Sequence, residues 1–293
     1  MSNRDWVLLA ILSILWGGSF FFVELALAGL PALSIVWARV TGAAVLMALW
    51  ILLRGRAFPA GARVWAALAV LGFLNNAVPF TLFALAQGRI DGALAAIVNA
   101  TTPLWAVLAL HFLARDEPLT AARLIAIGLG FAGVVVMSGG QGAGTALAVL
   151  GCLGAALSYG LAGVWARRFK PMGLVPEQIA LGQLVTAALL LLPLWLAVDR
   201  PWTMPAPPAG VLGAMAGLIV LSTALAYLIF FRLLASAGAI NLSLVTFLIP
   251  VSAMGLGIGF LGEALMMRHL AGFALIVAGL VAIDGRLWRW ARG

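Results

Sequence analysis

Apolar residues run through this chain in long blocks, and the polar residues collect between the blocks or at a few points near their centres. A membrane-crossing helix needs about 20 mainly apolar residues. Ten stretches meet that length: Trp6–Leu27, Leu33–Leu53, Val64–Ala86, Ala93–Leu113, Leu119–Ser138, Ala146–Phe169, Glu177–Val198, Ala209–Leu234, Ala239–Leu261 and Met267–Trp288. The connections are short, and none could fold alone. The pattern predicts an all-α polytopic membrane protein with ten transmembrane helices.

Composition agrees. The chain is 65% hydrophobic and 9% charged, with a mean hydropathy of +1.16, whereas soluble domains carry roughly 25% charged residues. A single cysteine, Cys152, excludes an intrachain disulfide and leaves no thiolate partner for a metal. His111 and His269 stand near span borders without clustered ligands, so no metal or other cofactor is expected.

A formal net charge of +8 would suggest a nucleic-acid partner in a soluble protein. Here its placement matters more. With a cytoplasmic N-terminus, thirteen of the 17 basic residues fall on the inner side, among them Arg4, Arg54, Arg63, Arg115, Arg168, Lys170 and Arg286. Only Arg89, Arg200 and Arg268 fall outside, and Arg39 lies within a span. The positive-inside rule then puts both termini in the cytoplasm. The partners expected are the lipid bilayer and a small-molecule substrate, with no nucleic acid, for a monomer in a bacterial inner membrane. The start of the chain imitates a signal peptide at Ala26-Leu27-Ala28, but its apolar run is too long for an h-region and reads as a retained first helix.

The chain repeats itself. Gly92–Met137 follows the same plan as Gly238–Ile283: Pro103 answers Pro250, Glu117 answers Glu263, Leu119 answers Leu265 and Gly133 answers Gly279. Spans two and seven agree at Pro31/Pro176, Thr41/Thr186, Ala43/Ala188 and Trp50/Trp195, and Trp16-Gly17 answers Tyr159-Gly160. Two five-helix units follow, residues 1–140 and 141–293, joined through the Gly139–Thr145 segment. Because five is odd, the second unit must be inverted relative to the first, a plan that recurs in transporters with a midplane site.

The run LLASAGAINLSLVTFLIPVSAMGLGIGFLGEAL, with WGGSFF in the first span and WARVTGAA in the second, resembles the EamA-type drug/metabolite transporter superfamily across essentially the whole chain. The resemblance implies ten helices in two inverted repeats and export of small metabolites. Within the superfamily the chain is similar to the YddG-type exporters of aromatic and other neutral amino acids.

Polar side chains at membrane depth are costly and usually face the bundle interior. Near the span centres stand Trp16, Asn75-Asn76, Asn99, Thr101-Thr102, Ser158-Tyr159, Ser222-Thr223, Tyr227, Ser243 and Thr246. Spans five and ten offer almost nothing comparable and read as packing supports. A proline inside a helix leaves the carbonyl four residues back without its donor. Pro79, Pro103 and Pro250 therefore free the carbonyls of Asn75, Asn99 and Thr246 in the same layer. Ordinary kinks, with Ser and Thr bonding back into their own helices, are the bland alternative. The substrate-binding candidates are Trp16, Asn75, Asn76, Phe80, Asn99, Thr102, Tyr159, Ser222, Tyr227, Ser243 and Thr246; Trp16 and Trp105 either pack against helices or lipid or form an aromatic wall, for which Phe80 is a further candidate.

No carboxylate lies at mid-depth, so a neutral cavity is expected, suited to zwitterions and not to lipophilic cations. Glu24 sits toward the outer end of the first span and Arg39 about two turns into the second from the same side. They form either a structural pair or part of an outer vestibule. Glu117 and Glu263 read as N-terminal caps of the spans that follow them, and Gly255 with Gly259 as a small-residue face for close helix contact. No nucleophile–base or metal constellation supports an enzyme. The function expected is facilitative export of small neutral or zwitterionic metabolites, amino acids above all, by alternating access. A proton-coupled multidrug exporter that uses Glu24 is the alternative.

Overall fold

The computed structural model describes residues 1–114, 120–138, 143–264 and 266–284. Seven helices in it are long and apolar enough to cross a membrane: α1 (Asn3–Leu27), α2 (Ala32–Leu53), α3 (Ala62–Gln87), α4 (Gly92–Leu113), α6 (Ala143–Phe169), α7 (Pro176–Val198) and α8 (Ala209–Gly238). Three shorter apolar helices bring the described total to the expected ten: α5 (Ala121–Ser138), α9 (Val245–Leu261) and α10 (Met267–Asp284). Glu117, Leu119, Leu265, Trp288 and most of the glycine-rich connector lie outside the described residues.

The helix ends follow local chemistry. Ser2 and Asp5 form a capping box that starts α1. Asp199, at the end of α7, accepts from both the backbone N–H and the hydroxyl of Ser34 at 2.7 Å, which ties down the first turn of α2. The ninth span starts later than its hydrophobicity suggests. Gly238, at φ 78°, breaks the chain at the end of α8, and a turn at Ser243-Leu244 precedes α9.

Four spans contain a widened π turn: Phe73–Ala77 in α3, Leu110–Ala114 at the end of α4, Val220–Leu225 in α8 and Gly257–Leu261 in α9. The extra residue in such a turn leaves a carbonyl without its usual donor, and such turns are frequent at functional sites.

The helices pack in pairs: α5 on α10, α1 on α9, α6 on α4, α2 on α7, α3 on α6 and α7, and α8 on α1 and α2. Several crossings bring backbones together. A Cβ on Gly17 would lie 2.8 Å from the Ala253 nitrogen, and one on Gly160 would lie 2.9 Å from the Ala106 nitrogen. Gly133 and Gly272 meet in the same way where α5 crosses α10, and this pair stands apart as the packing support expected. Gly255 and Gly259 do not act as anticipated, because a Cβ on either would have nothing within 4 Å. The close face of α9 is the one that carries Ser252 and Ala253. Outward faces show Leu53, Val135, Leu189 and Phe260, as a surface solvated by lipid requires.

Candidate functional site

The centre of the molecule is a hydrogen-bonded layer made by α2, α3, α6, α7 and α8. In α3 the π turn directs the Val78 N–H back to Phe73 O. The next carbonyl, Leu74 O, would need in that register the N–H that Pro79 lacks. Ser158 of α6 supplies the donor, with Oγ 2.6 Å from Leu74 O. The carbonyl that this hydroxyl takes is one residue earlier than the Asn75 carbonyl singled out by the α-helical rule, because the bulge shifts the count.

The side chains of the same turn reach across. Asn75 Nδ2 donates to Gln183 Oε1 of α7 at 2.8 Å, and Asn76 Nδ2 to the Tyr227 hydroxyl of α8 at 2.9 Å. Asn76 is fully buried, and its Oδ1 has no donor. Arg39 of α2 joins the layer, with Nε donating to Thr223 Oγ1 at 2.9 Å and the guanidinium carbon 3.7 Å from the Phe80 ring centre. Thr223, inside the π turn of α8, donates its hydroxyl hydrogen bond to Leu218 O at 2.8 Å. Ser222 Oγ is buried without a partner. The ring of Tyr159 lies against Phe83, and Arg39 is within electrostatic range of both tyrosine hydroxyls.

Arg39 does not pair with Glu24. It is the eighth residue of the 22 in α2, 7% exposed, and it turns inward to Thr223 and Phe80. The layer is therefore not neutral, since it carries one cation.

Glu24 belongs to a different cluster, at the side where α1 ends. The Gly92 N–H, at the start of α4, faces Glu24 Oε2 at 3.0 Å and Glu263 Oε1 at 3.1 Å, and Ala93 N–H donates to Glu263 Oε2 at 3.3 Å. Glu263 thus caps α4, not the α10 helix that follows it. Carboxylates at a helix N-terminus are favoured by its free N–H groups and dipole, but two of them compete for one end. Burial, and then the hydrogen bond and negative charge of Glu24, push the Glu263 carboxyl up to about 7.

This sets a pH dependence. The folded carboxyl holds its proton more tightly than the unfolded one, so its contribution is most favourable below the ordinary value of 4.5 and is lost as pH rises towards 7. The melting temperature of the purified wild type is expected to fall between about pH 5 and about pH 8 by more than that of Glu263→Gln. Parallel curves for the two would exclude a shared proton.

A sequence profile of the EamA-like transporter family matches twice, over residues 4–139 and again over 146–283. The chain belongs to the EamA-like transporter family. Similar proteins include Protein PecM of Dickeya dadantii (strain 3937), 28% identical over 92% of this chain and 88% of its own. The uncharacterized inner membrane transporter YedA of Escherichia coli (strain K12) is 27% identical over 93% and 88%, and the uncharacterized transporter YvbV of Bacillus subtilis (strain 168) is 29% identical over 96% and 92%. A solved crystal structure 20% identical in sequence covers 94% of this chain and 95% of its own with a TM-score of 0.66, which shows a shared fold. This EamA protein is a multi-pass membrane transporter and not an enzyme.

Among the candidates named from sequence, Asn75, Asn76, Phe80, Tyr159, Ser222 and Tyr227 come from the elements that build the central layer. Asn99, Thr102 and Thr246 bond within their own segments. Thr102 Oγ1 donates to Asn99 O at 2.7 Å, which satisfies within α4 the carbonyl that Pro103 leaves bare. Thr246 likewise donates to Ser243 O, next to the turn before α9. Pro250 lies inside α9 and is buried. Trp16 packs on Phe230, with ring centres 5.5 Å apart. Gln183 and Thr223 were not singled out as site residues. The signal for Gln183 is an amide deep in an apolar span with Thr186 one turn on, whose hydroxyl donates to the Gln183 carbonyl at 3.2 Å.

Cavities lie beside the helices that build this layer. One of about 410 Å³ lies between α3 and α6, lined by Arg63, Val70, Trp165, Arg168 and Met172. Another, of about 290 Å³, is an apolar groove along α3 and α7 at Phe73, Thr81 and Leu194.

Proposed function

We propose that this protein exports small zwitterionic metabolites, amino acids including aromatic ones above all, by alternating access of two inverted five-helix halves, residues 1–140 and 141–293. The observation that carries the reading is that the side-chain bonds of the central layer cross between the halves: Asn75 to Gln183, Asn76 to Tyr227 and Arg39 to Thr223. Rocking one half against the other would break and remake this set while leaving each half's own packing intact.

The repeat is supported by the spacing of irregular features. The π turns that begin at Phe73 and Leu110 recur at Val220 and Gly257, the same distance along the chain. Gly17 meets the backbone at Ala253 as Gly160 meets it at Ala106. Basic-residue placement supports cytoplasmic termini in an inner membrane. On that orientation the cleft at Arg63 and Arg168 opens to the cytoplasm, the side from which an exporter loads.

Because no carboxylate takes part in the layer's bonds, the movement is facilitative. In proteoliposomes, flux of labelled Phe or Thr is expected to persist without a pH gradient. Strict dependence on one would overturn the uncoupled mechanism, and absence of flux for every amino acid would overturn the substrate class. Proton coupling is favoured by one observation, the Glu24–Glu263 cluster at α4. In that case Glu24→Gln would abolish gradient-driven flux.

A further inference from the structure

We infer that Arg39 is the carboxylate-recognising residue of the central layer, and hence that a solute must carry a carboxylate to bind. The inference deepens the transport reading above and rests on it.

Arg39 is buried and uses only its Nε internally, on Thr223 Oγ1. Neither Nη group has a hydrogen-bond partner among the described residues, and the one ion pair described, Arg56–Glu177, is elsewhere. Phe80 covers one face of the guanidinium. One internal bond and one ring face therefore hold the fork in a set orientation with its terminal N–H groups unspent. An arginine this deep in a span is costly unless it is paired. The planar fork matches a carboxylate in two parallel bonds, which a lysine cannot reproduce.

The second feature is Asn76. Its amide nitrogen is spent on Tyr227, and its buried Oδ1 has no donor. Phe80 lies one helical turn from Asn76, and Thr223 one turn from Tyr227, so the cation and the bare acceptor are neighbours on both α3 and α8. A cation beside an unused acceptor complements a carboxylate beside an ammonium. The same cation repels an amine that has no carboxylate.

Three aromatic probes separate the parts: phenylalanine, phenylpropionate (no ammonium) and phenethylamine (no carboxylate), each added to purified wild-type protein in a thermal-shift titration. Phenylalanine and phenylpropionate are expected to bind, and phenethylamine at least about tenfold more weakly than phenylalanine. Arg39→Gln should weaken both carboxylates by about 10- to 150-fold, the range for a lost hydrogen bond to a charged group, and abolish the preference over phenethylamine. Arg39→Lys should recover part of it. Equal binding of phenethylamine and phenylalanine to the wild type overturns the assignment even if the variants do not fold, as does an unchanged preference in Arg39→Gln. Binding of benzoate that depends on Arg39, with no flux of any amino acid, would keep the carboxylate site and overturn only the amino-acid reading. Failure of every carboxylate to bind would overturn the inference itself.

Discussion

Valine at Gly17 or at Gly160 is expected to destabilise the folded protein by about 1–3 kcal/mol or more. At both positions the added atoms meet backbone, the Ala253 nitrogen at 2.8 Å and the Ala106 nitrogen at 2.9 Å, and neither neighbour can rotate away as a side chain would. Relief requires α1 to move off α9, or α6 off α4. The control lies within α9 itself. Gly255→Val and Gly259→Val add the same atoms where nothing stands within 4 Å, and each should stay within about 0.5 kcal/mol of wild type. Thermal unfolding of the detergent-purified variants by size-exclusion fluorescence checks all four. Equal losses at Gly255 and Gly17 would mean that the crossing of α1 and α9 is not the one described.

Asn76→Ala should reduce transport by about 5- to 150-fold, the equivalent of about 1–3 kcal/mol for a buried polar group left without its partner. The Asn76 amide donates to Tyr227 across the two halves, so its loss removes a bond that any relative movement must break and remake. Tyr227→Phe should act in the same direction, and the double variant should lose no more than the stronger single one, because the two share one interaction. Asn99→Ala should change flux only a few-fold, since the Asn99 carbonyl is already served by Thr102 of its own helix. Initial rates of labelled phenylalanine flux, normalised to folded protein, make the comparison. A larger loss for Asn99→Ala than for Asn76→Ala would move the site to α4.

Asn75 and Asn99 show where reading from sequence stops. Both stand mid-span four residues before a proline, and the same rule nominates both. In α4 the hydroxyl of Thr102, immediately before Pro103, closes the gap locally. In α3 the π turn opens the ladder further, and Ser158 of another helix has to fill it. Gly255 and Gly259 fail for a related reason, since small-residue spacing marks a face that permits close approach but not a face that is used. Of the two readings open for Arg39, the pair with Glu24 is not made, because Glu24 finds its donor at the start of α4 and Arg39 donates to Thr223.

What the sequence determined by itself is one-dimensional: the lengths of the apolar stretches, their number, the excess of basic residues on one side, and the doubled module that the family profile matches twice. The bilayer enforces those features on each segment separately, so they can be read one segment at a time. Only the tertiary structure decided which polar groups at mid-depth serve their own helix and which reach another. That choice depends on the facing side chain, and for Asn76 and Arg39 the facing side chain is 151 and 184 residues away. Where a buried donor finds its acceptor across such a distance, no local pattern records it.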